Sequence, residues 1–116
     1  MAKEAIGLWE LNANGYTGWL DIPNIDAAGV LVGAKAFGDT IIGFWDEEAK
    51  KITFLRSTQS GNHSGDQVFT GYYFASGPEA TFKSVIYLTG SFKAFGDAGG
   101  TANRIVFGWF ARQRRT

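Results

Sequence analysis

Phe-Thr-Gly-Tyr-Tyr, residues 69–73, places a glycine in the middle of four residues that are frequent in β-strands. The same arrangement occurs in residues 16–20 and 106–110. Three further apolar stretches also contain a glycine, at Gly33, Gly43 and Gly90. Because glycine weakens a flat strand, a glycine that recurs in mid-strand indicates a bend or a close approach of two backbones. Bent strands are what closure into a small barrel requires.

Turn-forming sequences such as Asn14-Gly15 and Gly38-Asp39 divide the chain into eight predicted strands. The connections between them are short, which favours antiparallel pairing of consecutive strands in an up-and-down meander. The sequence therefore predicts an all-β fold, an eight-stranded antiparallel β-barrel. The predicted strands are 5–12, 16–22, 29–37, 40–46, 51–57, 67–75, 82–95 and 102–113.

The 116 residues are predicted to form one domain, whose halves, about 1–58 and 59–116, resemble each other. The sequence Lys-Ala-Phe-Gly-Asp occurs at 35–39 and again at 93–97. Either a four-strand unit is duplicated, or similar barrel corners select similar residues. In both cases the two Phe-Gly-Asp turns are expected at the same end of the barrel.

Composition excludes several classes of function. Eleven basic and eleven acidic residues cancel, so neither nucleic acid nor an anionic membrane is predicted as a partner. The chain has no cysteine, and its one histidine, His63, lies in a polar loop where no partner is expected to orient it. No metal site, cofactor or catalytic residue is predicted, and hence no enzymatic activity. The start of the chain shows no apolar signal segment, which favours the cytoplasm, or secretion after removal of such a segment.

Several predicted strands are apolar on both faces, whereas an isolated barrel needs apolar residues on the inside only. The last three strands are neighbours in the meander, so their outer faces would merge into one apolar surface of the kind that marks an interface. A homo-oligomer that packs through this wall is predicted. The residues assigned to it are Val68, Tyr72, Phe74, Phe107 and Trp109.

The order of several short motifs resembles the avidin and streptavidin family, and lipocalin-like calycin barrels are almost as similar. The likeness runs in strand order over nearly the whole chain. It implies an eight-stranded up-and-down barrel that forms tetramers and has a ligand site at one end. The motifs are Gly7-Leu8-Trp9 with Asn12, Gly15-Tyr16, Leu31-Val32-Gly33, Gln67-Val68-Phe69-Thr70-Gly71, Ile86-Tyr87-Leu88-Thr89 and Phe110-Ala111-Arg112.

The resemblance also implies which residues line that ligand site. About four of the family's hydrogen-bonding partners are altered here, and each missing partner costs on the order of 1–3 kcal/mol, so biotin is not the expected ligand. Tyr16 replaces a ligand serine, Lys35 a ligand tyrosine and Gln67 a threonine. The implied lining residues are Asn12, Tyr16, Lys35, Phe54, Gln67, Phe69 and Tyr87.

Arg56 and Lys35 are the candidate polar groups inside the barrel. Arg56 has the same strand parity as Phe54, which places it near the barrel mouth, where it either binds an acidic group or forms a salt bridge at the strand end. The predicted function is non-enzymatic binding of a small, partly apolar ligand at one barrel end. The alternative is a structural or lectin-like module that acts through its outer surface, where Trp19, Trp45 and Trp109 are the sugar-binding candidates and Trp45 is the leading one. A barrel isomerase that uses Lys35 or a rim carboxylate is a third hypothesis.

Overall fold

The computed structural model describes residues 4–57, 66–76, 85–94 and 106–114. These residues include no helix, and therefore none of the length and apolarity that a membrane span requires. The strands are β1 (Gly7–Ala13), β2 (Tyr16–Ile22), β3 (Asn24–Ile25), β4 (Leu31–Val32), β5 (Lys35–Ala36), β6 (Asp39–Asp46), β7 (Lys51–Arg56), β8 (Gln67–Ser76), β9 (Val85–Ala94) and β10 (Val106–Arg114).

Eight of these strands form a closed antiparallel barrel in the order β1-β2-β5-β6-β7-β8-β9-β10, and β10 pairs with β1 to close it. Strands β3 and β4 form a separate two-stranded sheet. The predicted all-β, eight-stranded meander barrel is thus confirmed. We call the end at which β1 passes into β2 the upper end. Since the strands alternate in direction, Asp39, Arg56, Gln67 and Val106 also lie at this end.

The lower end is covered by the β3–β4 hairpin, which the sequence did not predict. The carboxylate of Asp26 organises its turn by accepting hydrogen bonds from the amides of Ala28 and Val30, both at 2.9 Å. The hairpin packs against the lower part of β6, where the Trp45 amide donates to the Gly29 carbonyl at 2.7 Å. Ile25 and Leu31 of this hairpin belong to the buried core, so the core continues past the barrel strands.

A bend divides the predicted strand 29–37 into β4 and β5. Gly33 lies at the bend with a φ of +70°, in the left-handed region that favours glycine. After the bend Ala34 and Ala36 are buried, whereas Lys35 is exposed on the outer surface. Its register partner on β2 is Asp21, which is also exposed. The predicted inward position of Lys35 assumed an unbroken strand, and the bend shifts the alternation by one residue.

A row of stacked aromatic rings fills one side of the barrel interior. Phe54, Phe69, Phe92 and Phe107 occupy paired positions on β7, β8, β9 and β10. Their ring centroids follow one another at 4.6, 4.5 and 5.2 Å. The indole of Trp109 packs edge-on against Phe54 and Phe69 at 5.8 and 5.7 Å. The middle of the barrel is therefore occupied by the protein's own side chains.

Two paired glycines allow close packing here: Gly71 makes room for that indole, and Gly90 lets the backbones of β8 and β9 approach. Gly71 and Gly90 lie opposite each other on β8 and β9. A Cβ on Gly71 would come within 2.5 Å of Trp109 Cζ2, and one on Gly90 would overlap the carbonyl oxygen of Thr70. The predicted close approach is therefore present at these glycines. Gly108 differs, because a Cβ there would meet nothing within 4 Å.

The outer wall of β8, β9 and β10 is smaller than the sequence predicted. Tyr72 and Phe74 lie on it and are 54% and 46% exposed. Trp109 is instead 3% exposed inside the barrel, and Phe107 is half-buried at the end of the aromatic row. Residues 106–110 of β10 are apolar on both faces, and the charged residue that marks the outer face, Arg112, comes only after them.

Candidate functional site

The upper end of the barrel opens into a cavity of about 430 Å³. Phe92 and Phe107, the last two rings of the aromatic row, form part of its wall. Phe54 and Phe69, the first two rings, are fully buried. The lining residues are Ala13, Asn14, Tyr16, Phe37, Arg56, Gln67, Phe92 and Phe107.

The β1–β2 hairpin supplies one rim of the cavity. Asn14 and Gly15 have φ angles of 51° and 88°, so both adopt the left-handed backbone that a two-residue hairpin turn requires. The side-chain oxygen of Asn12 accepts a hydrogen bond from the Gly15 amide at 2.9 Å and thereby supports the turn. The turn places Tyr16 at the rim, where it is 73% exposed.

The β5–β6 turn supplies the neighbouring part of the rim through Phe37. Phe37 and Gly38 have φ angles of 53° and 82°, and the Phe37 amide donates to the Trp19 carbonyl at 2.9 Å. The Phe37 ring lies over Gly18, where a Cβ would overlap the ring. The mid-strand glycine of β2 is therefore what allows this ring to fold over the barrel wall. The first Phe-Gly-Asp turn lies at the upper end, while the second, residues 95–97, is outside the described residues.

Arg56 anchors a polar network at the cavity. Its Nη2 and Nε lie 2.7 and 3.1 Å from Asp39 Oδ2, and its Nη1 lies 2.8 Å from Gln67 Oε1. The guanidinium is also 4.8 Å from the centroid of the Phe37 ring, a cation–π distance. The Arg56 side chain is only 16% exposed. The salt bridge that the sequence left open as the alternative for Arg56 is thus present.

This network determines what the cavity offers to a ligand. The charges of Arg56 and Asp39 cancel, so the site carries no net charge. A guanidinium has five N–H donors, and three of those of Arg56 are used by Asp39 and Gln67. Among the described residues no partner of the other two N–H groups is found, so these two groups are available as donors beside the aromatic wall. The arrangement suits an uncharged molecule with a hydrogen-bond acceptor.

The structure brings together only part of the predicted site. Tyr16, Arg56 and Gln67 line the cavity. Phe54 and Phe69 point into the barrel but are 1% and 0% exposed, and they stack on each other as core residues. They support the aromatic row rather than contact the open space.

Asn12, Lys35 and Tyr87 lie outside the barrel rather than at its mouth. Asn12 alternates with the buried Leu11 and Ala13 on β1, so its side chain is on the outer face. Tyr87 lies between the buried Ile86 and Leu88, and its ring stacks on Phe74 at 5.0 Å. Lys35 is outside because of the bend at Gly33. The resemblance implied these positions, and strand alternation places them elsewhere.

Sequence reasoning missed several residues of the cavity. Phe92 and Phe107 have a signal in the sequence, since pairing of consecutive strands continues the Phe54–Phe69 row into β9 and β10. Phe37 has one too, because it precedes a Gly-Asp turn. Asp39 ends the same turn, one of the two Phe-Gly-Asp turns that were expected at one end of the barrel. The strand register, which was not predicted from the sequence, brings these residues together at the cavity.

A second polar cluster lies at the lower end. Lys50 Nζ lies 2.8 Å from Glu4 Oε2 and also bonds Glu47, while Trp45 Nε1 donates to Glu47 Oε1 at 2.7 Å. Hydrogen bonds to Glu4 and then Glu47 raise the pKa of Lys50 to about 12. Those from Lys50 and then Trp45 hold the pKa of Glu47 below its ordinary value. Because Trp45 is only 3% exposed, we interpret this cluster as structural: it links Glu4, which precedes β1, to the turn between β6 and β7.

Searches of protein-family models, of curated proteins and of solved structures find no match to this chain. In the described part of the chain, no group of three or more His, Cys, Asp or Glu side chains is placed to hold a metal ion.

Proposed function

We propose that this chain is a non-enzymatic binding protein that holds a small, uncharged and partly apolar ligand in the mouth of its barrel. The observation that carries the proposal is the cavity of about 430 Å³ with aromatic walls and one paired guanidinium. Small-molecule sites are clefts of roughly 300–1,000 Å³ with apolar walls and a few placed polar groups. An end-on site is also what the resemblance to avidin-type barrels implies.

The lining of the cavity favours binding over catalysis. It consists of aromatic, amide and alanine side chains with one arginine. A nucleophile within reach of a general base is the usual mark of acyl-transfer or hydrolytic sites, and the described residues of this lining include no such pair. The polar groups that are present donate and accept hydrogen bonds, which orients a ligand without transforming it.

A fluorescent probe tests this proposal. N-phenyl-1-naphthylamine is small, aromatic and uncharged, and we expect its fluorescence to rise on binding to the wild-type chain. Phe107→Ala removes part of the cavity wall, and we expect it to weaken binding about tenfold, the effect of losing about 1.4 kcal/mol. Phe74→Ala on the outer surface is the matched control. Equal weakening by both variants, or no binding by the wild type, would refute the proposal.

We also propose that the chain self-associates through the outer faces of β8 and β9. Tyr72 and Phe74 are exposed there, and Phe74 stacks on Tyr87. Adjoining apolar side chains of this kind favour an isologous contact between two copies. Light scattering coupled to size exclusion tests it: the wild type should be larger than a monomer and Tyr72→Glu should be monomeric. A monomeric wild type at micromolar concentration would overturn the proposal.

A further inference from the structure

The outer faces of β2, β1 and β10 carry a regular array of six side chains. Glu10 pairs with Trp19 on one side and with Arg112 on the other. The next outward row, two residues along, has Asn12 between Thr17 and Phe110. The array therefore has two aromatic rings at opposite corners and four polar side chains between them.

Both aromatic rings of this array are accessible. Trp19 is 52% exposed and Phe110 is 39% exposed. Neither ring stacks on another aromatic ring of the described chain, whereas the outward rings of Phe74 and Tyr87 stack on each other. Trp19 is therefore an accessible aromatic side chain in the mid-strand region of the barrel wall.

The polar members supply both donors and acceptors with no net charge. Arg112 Nε donates to Glu10 Oε1 at 2.8 Å, and both side chains are 56% exposed. This contact raises the pKa of Arg112, so its guanidinium stays charged and the pair stays neutral overall. The Oδ1 of Asn12 is taken by the Gly15 amide, which leaves its NH₂ group as a donor.

Two shallow grooves flank the Glu10–Arg112 pair. One, of about 460 Å³, is lined by all six members of the array together with Leu11 and Gly18. The other, of about 350 Å³, shares Trp19, Glu10 and Arg112 with the first. A ligand that occupies both grooves must cross the ion pair beside the Trp19 ring.

We propose that this array binds a neutral oligosaccharide of two or three sugar units. The C–H face of a sugar ring packs on an aromatic face, whose electron-rich π-system attracts it. Sugar hydroxyls donate and accept at once, which matches a carboxylate, a guanidinium and an amide in one groove. Peptide addition as an extra strand has no place here because the barrel is closed, and the cancelled charges do not favour a polyanion.

The proposal is independent of the ligand site at the barrel mouth and differs from the sugar site that the sequence indicated. Trp45, the leading sugar candidate from sequence, is buried and bonded to Glu47, so its ring faces are not available. Trp19 takes its place, on a wall that shares no residue with the lining of the mouth cavity.

Titration of the full chain with cellotriose, xylotriose, maltotriose and tri-N-acetylchitotriose tests the proposal. We expect at least one of them to bind with a Kd of about 1 mM or tighter and to shift the Trp19 indole N–H resonance. Trp19→Ala should weaken sugar binding about tenfold or more, as does truncation of a residue that the ligand covers at the centre of a contact. Trp19→Tyr should restore part of the lost affinity.

Phe44→Ala is the matched control, since Phe44 is 50% exposed, close to the value for Trp19, and lies on β6, outside every proposed site. It should leave sugar binding unchanged. Absence of binding by all four sugars at about 10 mM overturns the proposal. So does binding that Trp19→Ala leaves intact, or shifts confined to residues of the mouth.

Discussion

The guanidinium of Arg56 and the carboxylate of Asp39 face each other at 2.7 Å at the upper end of the barrel. Arg56 is the last residue of β7 and Asp39 is the first residue of β6. The centroid of the Phe37 ring lies 4.8 Å from the guanidinium carbon of Arg56. The pair makes a largely aromatic cavity electrically neutral, so removal of either charge should change what the cavity binds.

Asp39→Asn should convert the mouth from a neutral to a cationic site. The variant keeps the shape of the side chain but leaves the positive charge of Arg56 unopposed. We expect weaker binding of the neutral N-phenyl-1-naphthylamine relative to the anionic probe 8-anilinonaphthalene-1-sulfonate, measured by fluorescence titration. Because the Asp39 side chain is 39% exposed, the loss in free energy of unfolding should be only about 1 kcal/mol. An unchanged ratio of the two affinities contradicts this role of the pair.

Gly71→Ala should destabilise the barrel far more than Gly108→Ala. A Cβ on Gly71 would lie 2.5 Å from Trp109 Cζ2 and 2.8 Å from the Thr89 carbonyl oxygen, whereas one on Gly108 has open space. Forced overpacking costs about 1–3 kcal/mol, and surface changes away from such features stay within about 0.5 kcal/mol. Urea unfolding of both variants checks this. Similar midpoints for the two would mean that Trp109 does not pack on Gly71.

Gly18→Ala should reshape the mouth rather than the core. The new methyl group would overlap the Phe37 ring, which then has to leave its place over the wall of β2. We expect the affinity for the neutral probe to fall about tenfold, equivalent to 1.4 kcal/mol. Gly15→Ala does not serve as the control because of its positive φ, but Gly108→Ala does. Retention of full affinity by Gly18→Ala shows that Phe37 is not part of the site.

Glu47→Gln should reduce the dependence of stability on acid pH. The pKa of Glu47 is lowered in the folded state from 4.5, so its ionised form stabilises the fold above pH 4.5. That contribution is lost as the pH falls through the lowered pKa. The difference in Tm between wild type and variant should therefore be present near neutral pH and vanish in acid. Glu48→Gln, on the same turn, should show no such difference; a pH-independent difference for Glu47→Gln contradicts the ion-pair account.

The closed barrel followed from the sequence because its signals are local. Asn14-Gly15 fixes a tight hairpin, and the glycine of residues 69–73 lies where two backbones meet. Arg56 was correctly expected at the mouth because it lies two residues after Phe54 and so shares its strand face, and β7 is regular. Such local patterns reliably predict where a strand occurs and, if the strand is regular, which of its residues share a face.

The remaining site depended on geometry that a local pattern does not encode. Lys35 changed face because one bend at Gly33 shifts the alternation. Trp109 was expected outside, yet its indole donates to the carbonyls of Thr70 and Ser91 at 3.0 and 3.1 Å inside the barrel. Residues 106–110 are apolar on both faces, so the outward Arg112 further along β10 is the cue that marks the parity, and the space above Gly71 accommodates the indole inside.

The central claim is that the upper mouth of the barrel is a ligand site. Nuclear magnetic resonance of the wild-type chain during titration with N-phenyl-1-naphthylamine tests it most directly. We predict saturable shifts that are largest at the Arg56 side-chain Nε–H and at the rings of Phe92 and Phe107, with Trp19 unaffected. Shifts that avoid these three residues, or that do not saturate, contradict the claim.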